Sequence, residues 1–326
     1  MGVTVAARTL PSIDPTLAAF ASEVGDVGPV AVEGGRTRWQ VGGELAPSTR
    51  MVRAPAGILE HRREEMTVRV RCGTTVAQLH AELAARGQLT SLPDRGGTVG
   101  GALAVGENDV SVLGRGRVRD AALQLRYVSA EGRVVTGGGP TVKNVSGFDL
   151  PRLLVGSLGT LGLMGEAILR TNPVPSTSRW FECAETDPFG VLQHIYRPSA
   201  VLWDGDRTWV QLEGHRADVA ARAATLGSLG SWDEVAGAPE LPPHRWSLQP
   251  GELRNLDTSS TGPFVACIGV GTVFGSRPQP RAEMPPALIA LSRRTKQLFD
   301  PTGRLSPGRS PFGSTLEQPT GIEPPS

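Results

Sequence analysis

Four short segments combine glycine with polar or cationic side chains in ways that suit a phosphorylated, planar ligand. Gly34-Gly35-Arg36-Thr37-Arg38 follows a short apolar run, Gly28 to Val32. Paired glycines let backbone N–H groups turn toward a phosphate, and Arg36 or Arg38 adds charge. A tight turn between strands would use the same residues. Thr98-Val99-Gly100-Gly101-Ala102-Leu103-Ala104 offers a hydroxyl and a run of small residues against which a ligand can lie flush. Lys143-Asn144-Val145-Ser146-Gly147-Phe148-Asp149-Leu150 crowds polar side chains around one glycine. Its plainer use is a turn in which Asp149 caps the following helix. Gly156-Ser157-Leu158-Gly159-Thr160-Leu161-Gly162 is either a backbone surface for a ligand or a helix C-cap with its loop. A Rossmann fingerprint does not account for the glycines. Gly114-Arg115-Gly116 begins that pattern, but Arg119 stands where its third glycine belongs.

Other chemistries are poorly supplied. Cys72, Cys183 and Cys267 are scattered, with no Cys-x-x-Cys, so neither an iron–sulfur cluster nor a zinc site is expected. His61, His80, His194, His215 and His244 stand at no metal-ligand spacing, and each is expected to be a surface or packing residue. The formal net charge is +1, which argues against a nucleic-acid or polybasic membrane protein. There is no apolar run of about 18 residues and no secretory leader pattern, so a cytoplasmic protein without a transmembrane segment is expected. The 326 residues suffice for about two domains.

The elements that must position the glycine segments can be read from periodicity. Asp14-Pro15 opens a helix whose inner face is Leu17, Phe20, Ala21 and Val24. Met66, Val68, Val70 and Cys72 alternate with Thr67, Arg69 and Arg71, the pattern of a half-buried strand. Thr75 and Gln78 form a capping box ahead of Val76, Leu79 and Leu83, and Gly87 ends that helix. Ala122 to Ser129 and Val134-Val135 flank a Glu131-Gly132 turn, as in a hairpin. Beyond Pro175 the order is strand near Trp180 to Cys183, helix Pro188 to Ile195, and strand Val201 to Trp203. Strand Thr208 to Leu212, helix Asp218 to Leu226 and strand Phe264 to Phe274 follow, with Leu229 to Gly262 read as a loop. This β-α-β-β-α-β order is that of a ferredoxin-like split unit. A last helix carries Leu288, Leu291, Leu298 and Phe299 and stops at Asp300-Pro301.

The order and spacing of these motifs carry more information than any one of them. A glycine pair after an early strand is followed by Thr-Val-Gly-Gly, Val-Arg-Asp, Val-Lys-Asn-Val-Ser-Gly-Phe-Asp and Gly-Thr-Leu-Gly. This resembles the FAD-binding domain of the vanillyl-alcohol oxidase / p-cresol methylhydroxylase superfamily. More narrowly it resembles the FAD-binding subunits of bacterial glycolate oxidases. Phe299-Asp300-Pro301-Thr302-Gly303-Arg304-Leu305-Ser306-Pro307-Gly308-Arg309 is similar to that family's closing signature. The resemblance implies an α+β fold: a two-subdomain PCMH-type FAD-binding domain over residues 1–175 and a small ferredoxin-like α+β cap over 176–284. A helix and closing segment over 285–310 would return to the FAD domain, and 311–326 would be a disordered tail. It implies non-covalent FAD held by Gly34, Gly35, Arg36, Thr37, Arg38, Thr98, Gly100, Gly101, Asp149, Gly159, Gly162 and Leu163. Val118-Arg119-Asp120 would support the second subdomain. The relatives that attach FAD covalently commonly use a His in the first glycine loop, which here holds Arg36, Thr37 and Arg38.

The chain departs from the family at Glu33, where another glycine is common, and at Glu107-Asn108-Asp109, where small residues are usual. A Glu33 carboxylate beside a pyrophosphate must point away or pair with Arg36 or Arg38. The His-rich motif of the catalytic 2-hydroxy-acid flavoproteins is missing, which leaves Arg197, Arg207, Arg216 and Arg245 as carboxylate partners and the catalytic residues unassigned. The resemblance therefore implies an oxidoreductase subunit that takes part in oxidising a glycolate-like 2-hydroxy acid. It would work beside a catalytic flavoprotein subunit and an iron–sulfur subunit, which could also attach it to the inner face of the membrane. A self-sufficient FAD-dependent alcohol or hydroxy-acid oxidase, and a scaffold subunit that has lost FAD chemistry, are the alternatives.

Overall fold

The computed structural model describes residues 14–139, 149–184, 186–280 and 284–311. The chain opens with α1 (Pro15–Val24), β1 (Val30–Val32), β2 (Arg50–Val52), β3 (Ile58–Arg62) and β4 (Thr67–Arg71). Next come α2 (Val76–Ala84), β5 (Gln88–Leu89), α3 (Val99–Val105), α4 (Val112–Arg115) and α5 (Val118–Ala121). β6 (Ala122–Val128), β7 (Val134–Gly138), α6 (Leu150–Leu154), β8 (Leu163–Arg170) and β9 (Asn172–Pro173) complete the first part. β1 and β2 pair in parallel, and β5 pairs with β9. The main sheet of this part has five strands in the order β3-β4-β8-β6-β7, with antiparallel neighbours.

Local chemistry explains these elements. Asp14 accepts the Thr16 N–H at the start of α1, and Leu17, Phe20, Ala21 and Val24 are buried on one side of that helix. Thr75 accepts the Gln78 N–H to start α2, whose Val76, Leu79 and Leu83 are buried with Val68, Val70 and Cys72. In β4, Val68 and Val70 are fully enclosed as their alternation requires, but the opposite face is not left to solvent. Arg71 Nη2 donates to Asp14 at 2.6 Å, and Arg69 Nε donates to Glu166 at 2.7 Å. Helix α1 and strand β8 thus convert an expected solvent face into an ion-paired layer.

The second part contains β10 (Thr177–Ala184), α7 (Pro188–His194), β11 (Ala200–Trp203), β12 (Arg207–Gly214), α8 (Arg216–Gly227), β13 (Asp233–Val235) and β14 (His244–Ser247). A 3-10 turn (Pro250–Asn255), α9 (Thr258–Thr261), β15 (Phe264–Cys267), β16 (Thr272–Gly275) and α10 (Pro286–Phe299) follow. Its sheet has seven strands in the order β13-β10-β12-β11-β15-β16-β14. Two expectations are corrected. Leu229 to Gly262 is not simply loop, because it contributes β13 and β14, and β13 is the strand that pairs with β10. Phe264 to Phe274 is not one strand but a hairpin, turned through Gly269 and Gly271 at φ 80° and 90°. That hairpin and β14 extend the opposite edge of the sheet.

One face of this sheet, with Trp246, Ala266 and Val273, packs against Val191 of α7 and Val219 and Leu226 of α8. The other face, with Leu202, Val265, Cys267 and Phe274, packs against Val110 of the first part. Polar contacts reinforce this junction. Ser111 Oγ donates to Gln211 Oε1 at 2.7 Å, and Arg115 donates through Nε and Nη2 to the Glu213 carboxylate. The second sheet therefore lies over the segment that follows α3. Among the described residues, no helix is long and apolar enough to cross a membrane.

Candidate functional site

Three of the four glycine segments converge. Gly34 and Gly35 leave β1 and run against the start of α3, so close that a Cβ on Gly34 would stand 2.6 Å from Thr98 Oγ1. Thr98 Oγ1 itself accepts the Gly101 N–H at 3.1 Å and so fixes the first turn of α3. The fourth segment lies along the same helix, with Gly156 N–H donating to Leu103 O and Leu158 N–H to Ala104 O, both at 2.9 Å. The resulting cleft is lined by Gly34, Gly35, Arg36, Thr37, Arg38, Thr98 and Gly101. An adjoining recess brings in Gly100, Gly159, Gly162 and Leu163 and shares Gly34, Thr98 and Gly101 with the cleft.

Asp149 is not brought to these walls. It accepts the Arg152 N–H at 3.3 Å and pairs with the Arg152 guanidinium at 3.1 Å, which is the capping role. The remainder of its segment, Val142 to Phe148, lies outside the described residues. Arg152 also pairs with Asp120 at 2.9 Å, and Val118 is fully buried in the first core.

The two acidic departures are both neutralised. Glu33 Oε1 accepts Arg36 Nε at 2.8 Å and lies 3.5 Å from Arg53, so its pairing with Arg36 meets the condition set by the sequence. Glu107 lies on the cleft wall, buried, with Arg38 Nη2 on both of its oxygens and Arg95 at 3.9 Å. Asn108 Oδ1 accepts the Val118 N–H at 2.9 Å, which fixes the approach to α5.

The structure adds wall residues beyond the glycine motifs: Trp39, Arg95, Glu107, Leu158, Ser306 and Arg309. Arg36 and Arg309 each stack on the Trp39 ring, at 4.9 and 4.6 Å. Ser306 and Arg309 arrive through the closing segment, where Leu305 bridges to Val30 and Ser306 N–H donates to Val30 O. The closing signature was the available signal for these two residues; nothing local in the sequence marks Arg95.

Charge decides what this cleft accepts. Arg38 Nε, Arg95 Nε and Arg309 Nη2 are buried and have no hydrogen-bond partner. Burial holds the Arg309 guanidinium below its usual pKa range. Each buried N–H without an acceptor costs about 1–3 kcal/mol, which an anionic ligand would relieve. A dinucleotide with a pyrophosphate suits these donors and the small-residue walls of α3. Other reactive groups are muted. Burial pushes the Cys72 thiol far above its usual range and the Cys267 thiol up to about 12. His61 Nε2 is hydrogen-bonded to Gln88 at 2.6 Å, and His194 Nδ1 to Gly190 O at 2.7 Å. Among the described residues, no group of three or more His, Cys, Asp or Glu converges on a common point.

Comparison with known proteins agrees with this geometry. Residues 25–138 match a family model described as an FAD binding domain. Over 88% of this chain and 93% of its relative, the sequence is 28% identical to glycolate oxidase subunit GlcE of Escherichia coli strain K12. It is 41% identical to a D-lactate dehydrogenase of Archaeoglobus fulgidus, over 31% of this chain and 23% of that protein. It is 35% identical to glycolate oxidase subunit GlcD of Bacillus subtilis, over 37% of this chain and 27% of that protein. These last two likenesses thus span about a quarter of the relatives' length. Among solved structures, an alkyldihydroxyacetonephosphate synthase shares the fold, with a TM-score of 0.64 at 15% identity over 89% of this chain and 73% of that one. The converging glycine segments, the unpartnered arginine donors and the matched family together identify residues 25–138 as an FAD-binding domain, and the chain that carries it as an FAD-binding oxidoreductase.

Proposed function

We propose that this chain is the FAD-binding subunit of a multi-subunit enzyme that oxidises a 2-hydroxy acid of the glycolate kind, passing electrons to a partner. The observation that carries the reading is the convergence of Gly34–Arg38, Thr98–Gly101, Gly159, Gly162 and Leu163 on one cleft and its adjoining recess, where the buried Arg38 Nε, Arg95 Nε and Arg309 Nη2 lack acceptors. The likeness to glycolate oxidase subunit GlcE over nearly the whole chain supplies the substrate class. FAD would supply hydride acceptance; the protein contributes binding, orientation and electrostatics. Backbone N–H groups of Gly34 to Arg38, with Arg309, would hold the pyrophosphate. The small residues of α3 and the Gly159, Gly162 and Leu163 backbone would enclose the rest. No His lies in the first loop, so FAD binds without a covalent link.

Residues 1–175 form the FAD-binding unit in this reading. Residues 176–284 form a small ferredoxin-like α+β cap, and 285–310 close back onto the FAD-binding unit. The partners are a catalytic flavoprotein and an iron–sulfur subunit, and the complex works in the cytoplasm. Oxidation also needs a base for the hydroxyl proton. Glu107, the carboxylate on the cleft wall, is held by Arg38 and is not free for that task. Anaerobic mixing of the FAD-loaded chain with glycolate or D-lactate tests this. The flavin should keep its colour with the chain alone and bleach once the partner subunits are added. Rapid bleaching of the isolated chain would instead establish a self-sufficient oxidase.

A further inference from the structure

Arg197, Arg207, Arg216 and Arg245 of the second part do not line the FAD cleft. Its cations are Arg36, Arg38 and Arg95 from the first part and Arg309 from the closing segment. Arg38 is committed to Glu107. Arg36 and Arg309 instead meet on one side chain. The guanidinium carbon of Arg36 lies 4.9 Å from the centre of the Trp39 ring and that of Arg309 lies 4.6 Å from it. Trp39 is itself on the cleft wall. Two like charges are thus held within about 10 Å of each other, inside one screening length at ordinary ionic strength.

The backbone fixes this arrangement. Arg36 is at φ 55°, a left-handed conformation that a residue with a side chain adopts only at a cost. Trp39 N–H donates to Arg36 O at 3.3 Å and closes the turn that brings the ring back beside the guanidinium. Arg36 Nε is on Glu33 at 2.8 Å, yet its side chain stays 56% exposed, so a ligand can reach it. Arg309 Nη1 donates to Val41 O, two residues beyond the ring, and Arg309 Nη2 has no partner. Ser310 N–H donates to Gly42 O at 2.8 Å and Ala46 N–H to Pro307 O at 2.9 Å. The loop that carries Trp39 and the closing segment that carries Arg309 are therefore one surface.

We propose that Trp39 is a positioning residue for the pyrophosphate of FAD: its ring holds Arg36 and Arg309 as a pair of cations against which the paired negative charges of the diphosphate are read. The π face attracts each cation and offsets their mutual repulsion in the FAD-free chain. The diphosphate completes the neutralisation, since guanidinium groups match phosphate oxygens in geometry as well as charge. Trp39 acts through the two arginines and gives the cleft its preference for a charged dinucleotide. The inference deepens the placement of the pyrophosphate beside the Gly34–Arg38 loop made above, and rests on it.

Titration of the FAD-free chain with FAD, followed by flavin fluorescence at about 0.1 M and about 1 M salt, tests the role. Salt screens charge pairing, so wild-type affinity should fall as salt rises. Trp39→Leu should lose at least about fivefold in FAD affinity at the lower salt and approach wild type at the higher, because charge recognition is what it lacks. Trp39→Phe, which keeps a π face, should stay within about threefold of wild type. Arg309→Gln should reproduce the Trp39→Leu loss, and the double variant should lose less than the two single losses multiplied, since ring and cation act as a unit. Unchanged affinity in Trp39→Leu, or a loss by the same factor at both salt concentrations, would overturn the proposal. If Trp39→Leu does not fold, wild-type affinity in Arg309→Gln at the lower salt overturns it instead. The reading beneath fails separately. Wild-type FAD binding indifferent to salt and to competing ADP would remove the pyrophosphate from this loop, and the role of Trp39 with it. Binding that responds to both but not to Trp39→Leu would remove the role of Trp39 alone.

Discussion

Arg38 Nη2 donates to both carboxylate oxygens of Glu107, the Oε2 contact at 2.6 Å, across 69 positions of sequence. The first glycine loop and the segment after α3 are therefore held as one wall. The same contact explains how an acidic residue is tolerated beside an anion site.

Replacing Glu107 with Ala should destabilise the FAD-free protein by about 1–3 kcal/mol, because Arg38 is left part-buried without its acceptor. Added FAD should then raise the melting temperature more than it does in wild type, since the freed guanidinium gains a phosphate to bind. Urea unfolding with and without FAD measures both effects. An FAD-free stability equal to wild type would show that the pair is not structural.

Adjacent glycines should fail in opposite ways. A Cβ on Gly100 would stand 2.8 Å from Cys72 Cβ and 3.0 Å from Cys72 O, so Gly100→Ala must push α3 off the end of β4. About 1–3 kcal/mol of stability should be lost. A Cβ on Gly101 meets only Thr98 Oγ1, at 3.2 Å, and Gly101 lines the cleft. Gly101→Val should therefore lose FAD affinity by about tenfold or more while the FAD-free melting temperature barely moves. Full flavin content in Gly101→Val would reduce the segment to a structural turn.

Arg304 is 4% exposed and donates to the carbonyl oxygens of Gly28, Gly25, Ala130, Val24 and Val27. Asp300 accepts the N–H groups of Arg304 and Leu305 and pairs with Lys296 at 2.6 Å. Arg304→Met removes all five of these hydrogen bonds, leaving only Val24 O with another donor, Arg50 Nη2, and should cost about 3 kcal/mol or more, read from the urea midpoint. Arg304→Lys should recover only part, since one ammonium cannot reach all of them.

Burial lowers the His80 pKa, with Asp94 and a backbone contact at Leu92 opposing the shift. The unfolded chain therefore takes up this proton first as pH falls. His80 contributes nothing to pH dependence well above 6.5 and destabilises the fold progressively as pH drops below it. The melting temperature should decline between about pH 7 and pH 5, and His80→Gln should flatten that decline. An equal slope in the variant would assign the acid sensitivity to other groups.

What was legible in the sequence was local. The buried faces of α1 and α2 follow from Leu17, Phe20, Val24, Leu79 and Leu83 at helical spacing, and the caps Asp14 and Thr75 from side-chain chemistry. The glycine-motif residues on the walls of the cleft and its recess were legible too, because closely apposed glycines are conspicuous in a chain, whereas Trp39 and Arg95 were not. Asp149 was misplaced because capping and ligand binding ask for the same residue type. Contacts between distant segments left no local trace: Arg38 with Glu107, Arg71 with Asp14, and Arg304 with five carbonyls become evident only once the chain has closed. The β15–β16 hairpin was hidden because Phe264 to Phe274 is apolar but for Thr272 and the glycines, and only Gly269 and Gly271 mark its turn.

The central claim is that the cleft between the Gly34–Arg38 loop and α3 holds FAD. It is tested most directly by titrating the purified chain with FAD, recording the visible spectrum of the gel-filtered protein, and then precipitating it with acid. The account predicts about one FAD per chain, a visible spectrum perturbed from that of free FAD, and all of the flavin in the acid supernatant. A protein that stays colourless through the titration would contradict it.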